Sequence, residues 1–158
     1  MSAIKFLGLK MFFSTVLLLI FFSCNKQTEK NIPKHNEIKF ISISNVSGNL
    51  GNYTIIKITK DSITSEQGNT AKQIHKQWSS KIHPKVWKGL ISCFDLKTLE
   101  HIKSSESIQA KGGTDEVFQI KTSKRSHVYV NSYLDTLHYK QLERFKSQLE
   151  KILTTEHP

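Results

Sequence analysis

The sequence predicts an α+β fold, and three observations carry that expectation. Between residues 37 and 78, four alternating apolar runs are joined by short turn-forming stretches, the pattern of an antiparallel meander. Near Pro84 the apolar period changes from that of a strand to that of a helix. A second alternating pair at 117–133 then precedes a helical stripe at about 137–153. Strands first, then helix, hairpin and helix, segregate the elements, unlike the strict alternation of βαβ units. The expected architecture is one antiparallel sheet of five or six strands, a meander plus a later hairpin, with two helices packed on one face.

The first strand, 37–45, places Ile38 and Phe40 on one face and Ile41 and Ile43 on the other. That switch of parity calls for a bulge or for burial on both faces. Gly48, Asn49, Leu50 and Gly51 form the turn into 52–60, where Thr54, Ile56 and Ile58 oppose Tyr53 and Ile55. Lys60, Asp61 and Ser62 turn into 63–66, and Gly68 and Asn69 turn again into 71–78, which alternates weakly through Ile74 and Trp78. Pro84 suits a first helical turn, whose N–H has no partner within the helix. Val86, Trp87, Leu90, Ile91 and Phe94 then make one stripe of a helix over about 84–95. Leu96, Leu99 and Ile102 continue as a looser helical or turn segment, and the polar stretch 103–114 is the longest loop. Runs 117–122 and 127–133 pair across residues 123–126. The last helix, at about 137–153, carries Tyr139, Leu142, Phe145, Leu149, Ile152 and Leu153 as its stripe. Glu143, Lys146 and Glu150 fall on its polar side, with Lys146 and Glu150 spaced as an i,i+4 pair.

A length of 158 residues bounds the chain to one domain. With 37 % hydrophobic and 23 % charged residues it is globular rather than disordered. Two Cys exclude both a disulfide scaffold and a four-thiolate zinc site.

Residues 1–23 read MSAIKFLGLKMFFSTVLLLIFFS, with Lys5 and Lys10 as their only charges. A basic start followed by a short apolar run is the pattern of a secretory signal. The run is shorter than the ~20 apolar residues of a membrane span. It ends in Ser23-Cys24, which resembles the lipobox of bacterial lipoproteins, although Phe21 and Phe22 depart from the Leu and small residue usual there. The stretch Phe22-Ser23-Cys24-Asn25-Lys26, with the Lys-, Ile- and Asn-rich body, is similar to lipoproteins of the Bacteroidota. This resemblance rests on the first 26 residues. It implies cleavage before Cys24, a diacylglycerol on the Cys24 sulfur, commonly an acylated amine, and a place in the cell envelope, at the outer membrane facing the periplasm or the surface. Two or more acyl chains hold a protein stably on a membrane where one does not. The organisation that follows is a signal peptide at 1–23, a lipidated flexible tether at 24–36 and a single domain at 37–155. Residues 25–36 are polar, with Ile32 their only aliphatic residue, and reach roughly 40 Å when extended at ~3.3 Å each.

The formal charge of +10 would otherwise point to nucleic acid. An exported protein does not meet the chromosome, so no nucleic-acid partner is expected. Loss of Lys5 and Lys10 with the leader lowers the charge from +10 to +8. That charge serves solubility, or contact with anionic envelope polymers and lipid head groups.

The seven His, at 35, 75, 83, 101, 127, 138 and 157, show no metal-ligand spacing, so neither metal nor cofactor is expected. No G-x-S-x-G elbow occurs, and Cys93, the one thiol after Cys24, reads as a small buried hydrophobe. No catalytic residue is assigned. The most distinctive loop is Gly112-Gly113-Thr114-Asp115-Glu116. Such a loop can cradle an anion or pair its carboxylates for acid–base work; the plainer expectation is a flexible strand entry with a solvated acidic pair. Asp61-Ser62-Ile63 and Asp135-Thr136-Leu137 resemble the O-glycan acceptor pattern of Bacteroidota envelope glycoproteins.

The expected function is that of a lipid-anchored, non-enzymatic binding or structural module. Its partners are the membrane, through the lipid on Cys24, and an envelope protein, glycan or small apolar ligand. Tyr53, Ile55, Tyr129 and Tyr133 are expected on the sheet face turned away from the helices. A periplasmic inhibitor or immunity protein is a narrower alternative. An enzyme, with a pocket joining Asp115, Glu116 and a His, is the third.

Overall fold

Isoleucine builds the sheet, because its branched side chain suits a pleated, half-buried surface. The computed structural model describes residues 36–49 and 51–156, without the side chains of the last two. The expected signal peptide, Cys24, the tether to residue 35 and Leu50 of the first turn lie outside the described residues. Six strands form one antiparallel sheet: β1 Ile38–Ser47, β2 Asn52–Thr59, β3 Ser62–Asn69, β4 Ile74–Lys81, β5 Thr114–Thr122 and β6 Ser126–Val130. Their order is β4-β3-β2-β1-β5-β6, the meander plus later hairpin of the α+β class. In the centre, Ile41 lies between Ile58 and Ile120, and Ile43 lies between Ile56 and Phe118. Ile63, Tyr129 and His127 extend the same face through their partners Ile58, Phe118 and Ile120.

The parity switch in β1 resolves as a bulge. Ile38 pairs with Thr122 while Phe40 pairs with Lys121, so the register slips at Lys39. Ile38 therefore enters the core and Phe40 stays half-buried on the other face; the two do not share one.

Helix α1, Pro84–Ile91, starts where His83 Nδ1 accepts from the Lys85 N–H at 3.2 Å, with Pro84 in the first turn. It buries Trp87 and Leu90 and ends before the expected 95. Cys93 N–H bonds Leu90 O and Phe94 N–H bonds Ile91 O, so the chain tightens to i→i−3 bonding and swings both side chains into the core. Helix α2 is Lys140–Glu156. It begins later than 137 because the Asp135 carboxylate accepts the N–H groups of Leu137 and His138 and holds residues 136–139 as a turn. Its Leu142, Phe145 and Leu149 are buried, and the Phe145 ring lies 5.1 Å from that of Phe94 and 6.4 Å from that of Phe118. This core is enclosed between the sheet face and the two helices. Among the described residues no helix is long and apolar enough to cross a membrane.

Gly68 and Asn69 belong to β3 rather than to a turn; the turn falls at 70–73, where Gln73 takes a φ of 53°. The loop before β5 is shorter than expected, because β5 begins at Thr114. Its Ser105 N–H and Ser104 hydroxyl bond Val130 O and N–H, covering that end of the β6 edge. β6 ends at Val130, where Asn131 turns the chain at a φ of 48°.

Candidate interaction surface

The sheet face opposite the core is crossed by straight rows of side chains. One row runs His75–Gly68–Tyr53–Val46 across β4, β3, β2 and β1. Tyr53 Oη lies 2.8 Å from His75 Nδ1, two strands away, and the rings stack at 6.5 Å. Gly68 makes this possible. A Cβ there would sit 2.2 Å from Ile74 O and 2.7 Å from Tyr53 Oη, so only glycine lets the Tyr53 ring cross β3. The next row runs Glu66–Ile55–Ser44–Val117–Val130, and beyond it lie Lys57, Ser42, Gln119 and Val128. Lys57 Nζ stands 4.8 Å above the Phe40 ring, a cation–π contact. The face is thus a half-buried apolar band interleaved with cations and hydroxyls; α1 and α2 pack on the opposite face, while the 3₁₀ turn Gln109–Lys111 closes its β1–β5 end beside Gly48 and Asp115. On the opposite face of the sheet, at its β2–β4 end, a depression of about 360 Å³ is lined by Asn52, Thr54, Gln67, Asn69, Ile74 and Lys76, among others.

Of the four residues expected here, Tyr53 and Ile55 are present. Tyr129 is not. It faces the core opposite Phe118, is 5 % exposed and donates from Oη to Leu99 O at 2.7 Å. Burial pushes its phenol far above the ordinary range. Parity within β6 puts Val128 and Val130 outward in its place. Tyr133 lies beyond the sheet, in the 3₁₀ turn Ser132–Leu134, exposed.

The acidic loop also departs from expectation, because Asp115 and Glu116, adjacent in a strand, leave β5 on opposite sides. Asp115 is 3 % exposed and accepts from the Ile108 N–H and from Asn131 Nδ2, both at 2.8 Å. Burial alone would raise its pKa. Hydrogen bonds from Ser107, Ile108, Asn131 and Gln109 outweigh that and hold the carboxyl below its ordinary range. Glu116 turns to the helix side, where Tyr139 Oη donates to Oε1 at 2.8 Å and Lys146 pairs with Oε2. Burial, reinforced by Glu116, pushes the Tyr139 phenol up to about 12. Burial works against the Lys146 charge, but Glu116 and Tyr139 prevail and raise its pKa. The pair is therefore neither solvated nor a two-carboxylate site with a His: Asp115 pins the 107–109 loop, and Glu116 clamps α2 to β5. Lys146 serves that clamp through a reach that a helical wheel does not show.

The remaining chemistry is dispersed. Cys93 is 4 % exposed, and burial pushes its thiol up, as suits a small core hydrophobe. His127 is buried, and burial with the nearby Arg125 lowers its pKa. The His101 and His138 rings lie 5.8 Å apart, and His138 Nδ1 meets Asp135 Oδ2 at 3.2 Å. Among the described residues no three metal-ligating side chains come together. Of the two acceptor-like hydroxyls, Ser62 is partly buried and bonded to Thr59 Oγ1 at 3.0 Å, whereas Thr136 is exposed. Sequence reasoning missed the apolar character of the turn around Thr136: Leu134 is 66 % exposed and Leu137 73 %. The available signal was that neither leucine keeps step with the Tyr139–Leu142–Phe145–Leu149 stripe.

No family model and no curated protein matches the chain.

Proposed function

We propose that this protein is a lipid-anchored lipoprotein of the bacterial cell envelope whose domain is a non-enzymatic binding module. The Ser23-Cys24 lipobox, the apolar leader before it and the polar tether after it support the anchor. The observation that carries the binding role is the open sheet face with the Tyr53–Gly68–His75 row. Glycine inside a strand weakens it, and here that weakness lets one aromatic ring lie flat across a surface that α1 and α2 leave uncovered. The stacked Tyr53 and His75 rings, with the Lys57 ammonium and the hydroxyls of Ser42 and Ser44 on the same face, suit an envelope glycan or a polar protein segment. Two measurements test the reading. Radiolabelled fatty acid should be incorporated into the wild type and not into Cys24→Ala; equal labelling sinks the anchor. A photo-reactive residue at position 55 should crosslink to a defined envelope component in intact cells, while one at exposed Lys88 on α1 should not. Identical patterns from both positions would sink the open-face role.

A further inference from the structure

Five large hydrophobic side chains are strongly exposed among the described residues, and four of them lie on β6 or the turn after it: Val128, Tyr133, Leu134 and Leu137. The turn that carries the last three is built rigidly. Asp135 sits in its middle with a side chain only 8 % exposed. Its carboxylate accepts the Lys103 N–H at 2.9 Å, the His138 N–H at 3.1 Å and the Leu137 N–H at 3.3 Å. These bonds hold its pKa down to about 2, with the Lys103 N–H the largest cause. Leu134 and Leu137 are therefore held outward on either side of a fixed cap.

We infer that the turn 133–137 is a bilayer contact, with Leu134 and Leu137 entering the leaflet that holds the Cys24 lipid and Tyr133 at head-group level. The charge around it fits an anionic surface. Lys103 lines the depression beside Leu134, Lys140 opens α2 directly after the turn, and the His101–His138 pair stands alongside. Of the acids close to it, Asp135 turns its carboxylate inward onto backbone N–H groups and His138, Glu100 pairs with Arg125, and Glu143 stands in the first turn of α2. Apolar side chains flanked by Lys and aromatic residues bind an interface by area buried plus attraction to anionic lipid. The tether permits the contact. The domain begins beside Ser123, which exchanges hydrogen bonds with Glu37 at one end of the β5–β6 hairpin, and the turn lies past the other end of β6. The five residues of β6 span about 17 Å at ~3.3 Å each, well inside the tether's reach of roughly 40 Å. The inference rests on the lipid-anchored reading.

The test uses the full chain purified from membranes and reconstituted into vesicles of phosphatidylglycerol with phosphatidylcholine. An environment-sensitive dye is placed at Thr136→Cys, between the two leucines, or at Gln77→Cys on β4 as control. Flotation reports the anchor, and the dye reports the turn. The expected result is a floated protein whose position-136 dye is blue-shifted and quenched by spin-labelled lipid, while the position-77 dye stays in water. Leu134→Asp with Leu137→Asp should return the position-136 dye to water without loss of flotation. Lys103→Glu with Lys140→Glu should weaken the quenching, as should high salt. A floated protein whose two dyes are equally wet refutes the bilayer contact and leaves the anchor standing. A position-136 dye wet in vesicles but shielded in native membranes also refutes it, and makes the turn a protein contact. A chain that does not float refutes both readings.

Discussion

Truncating Phe145 to Ala is the sharpest perturbation of the core. Phe145 is 0 % exposed, and its ring touches both halves of the fold: Phe94 after α1 at 5.1 Å, and Phe118 of β5 at 6.4 Å. Large-to-small changes of this kind cost ~3–5 kcal/mol, the lost transfer free energy plus the cavity left behind. The upper part of that range applies here, because two ring pairs worth ~0.5–1.5 kcal/mol each vanish together. A domain of this size holds only ~5–15 kcal/mol in total, so one substitution removes a large share. Urea titration followed by tryptophan fluorescence measures it, since Trp87 is 7 % exposed in the same core and becomes wet on unfolding. The midpoint should fall with little change of slope. A loss below ~1 kcal/mol would mean that the space closes on itself without this ring, and would refute the view of α2 as the seal of the core.

Three further outcomes follow from the same geometry. Glu116→Gln should destabilise by about 1 kcal/mol, less than the ~1.5–3 kcal/mol of a charged hydrogen bond because Lys146 remains 34 % exposed; Lys146→Met in the same background should recover part of it, and a neutral single variant would disprove the clamp. Asp115 and Asp135 have folded pKa values below their ordinary 3.8, so the stability they add is present above that value and drains away as pH falls below it, for Asp135 towards about 2. The melting temperature should fall over that window, less steeply in Asp135→Asn, and equal slopes would refute the assignment to Asp135. Gly68→Ala should cost ~1–3 kcal/mol, as overpacking does, and free the Tyr53 ring from His75; an unshifted His75 ring resonance in the variant would contradict the contact.

The number, type and order of the elements could be read from the sequence because each element carries its own period. Ile38, Phe40, Ile41 and Ile43 left a choice between a bulge and burial on both faces, and the slip at Lys39 decides for the bulge. The errors fall where the deciding partner is remote in sequence. Gly68-Asn69 has local turn chemistry, yet Tyr53 from the neighbouring strand fixes Gly68 inside β3. The face of Tyr129 depends on its register against Phe118, which β6 alone does not encode. Lys146 occupies the polar side of an isolated helix and meets Glu116 only once α2 lies on β5. The candidate face was half legible for the same reason: Tyr53 and Ile55 followed from the alternation of β2, whereas the Tyr53–Gly68–His75 row needs β3 and β4 in place.

Under the proposed binding role, stability and recognition draw on different residues in this chain. The core is filled by isoleucines of the sheet and by aromatic and leucine side chains of the helices, all on one side. Tyr53, Ile55, Val128, Leu134 and Leu137 contribute little to that filling, since the first two stand half-buried on the opposite face of the sheet and the last three are more than half-exposed. With only 37 % hydrophobic residues, a domain that leaves large apolar groups wet forgoes burial it can use. The turn at 133–137 sharpens the point, because Asp135 spends its carboxylate on holding two leucines away from the core. A fold selected for stability alone has no use for that arrangement. Leu134→Ser and Leu137→Ser should therefore leave the melting temperature within the small range of surface substitutions, and so should Ile55→Thr. A marked drop in any of the three would place that side chain in the stabilising set and remove it from the proposed contact surface.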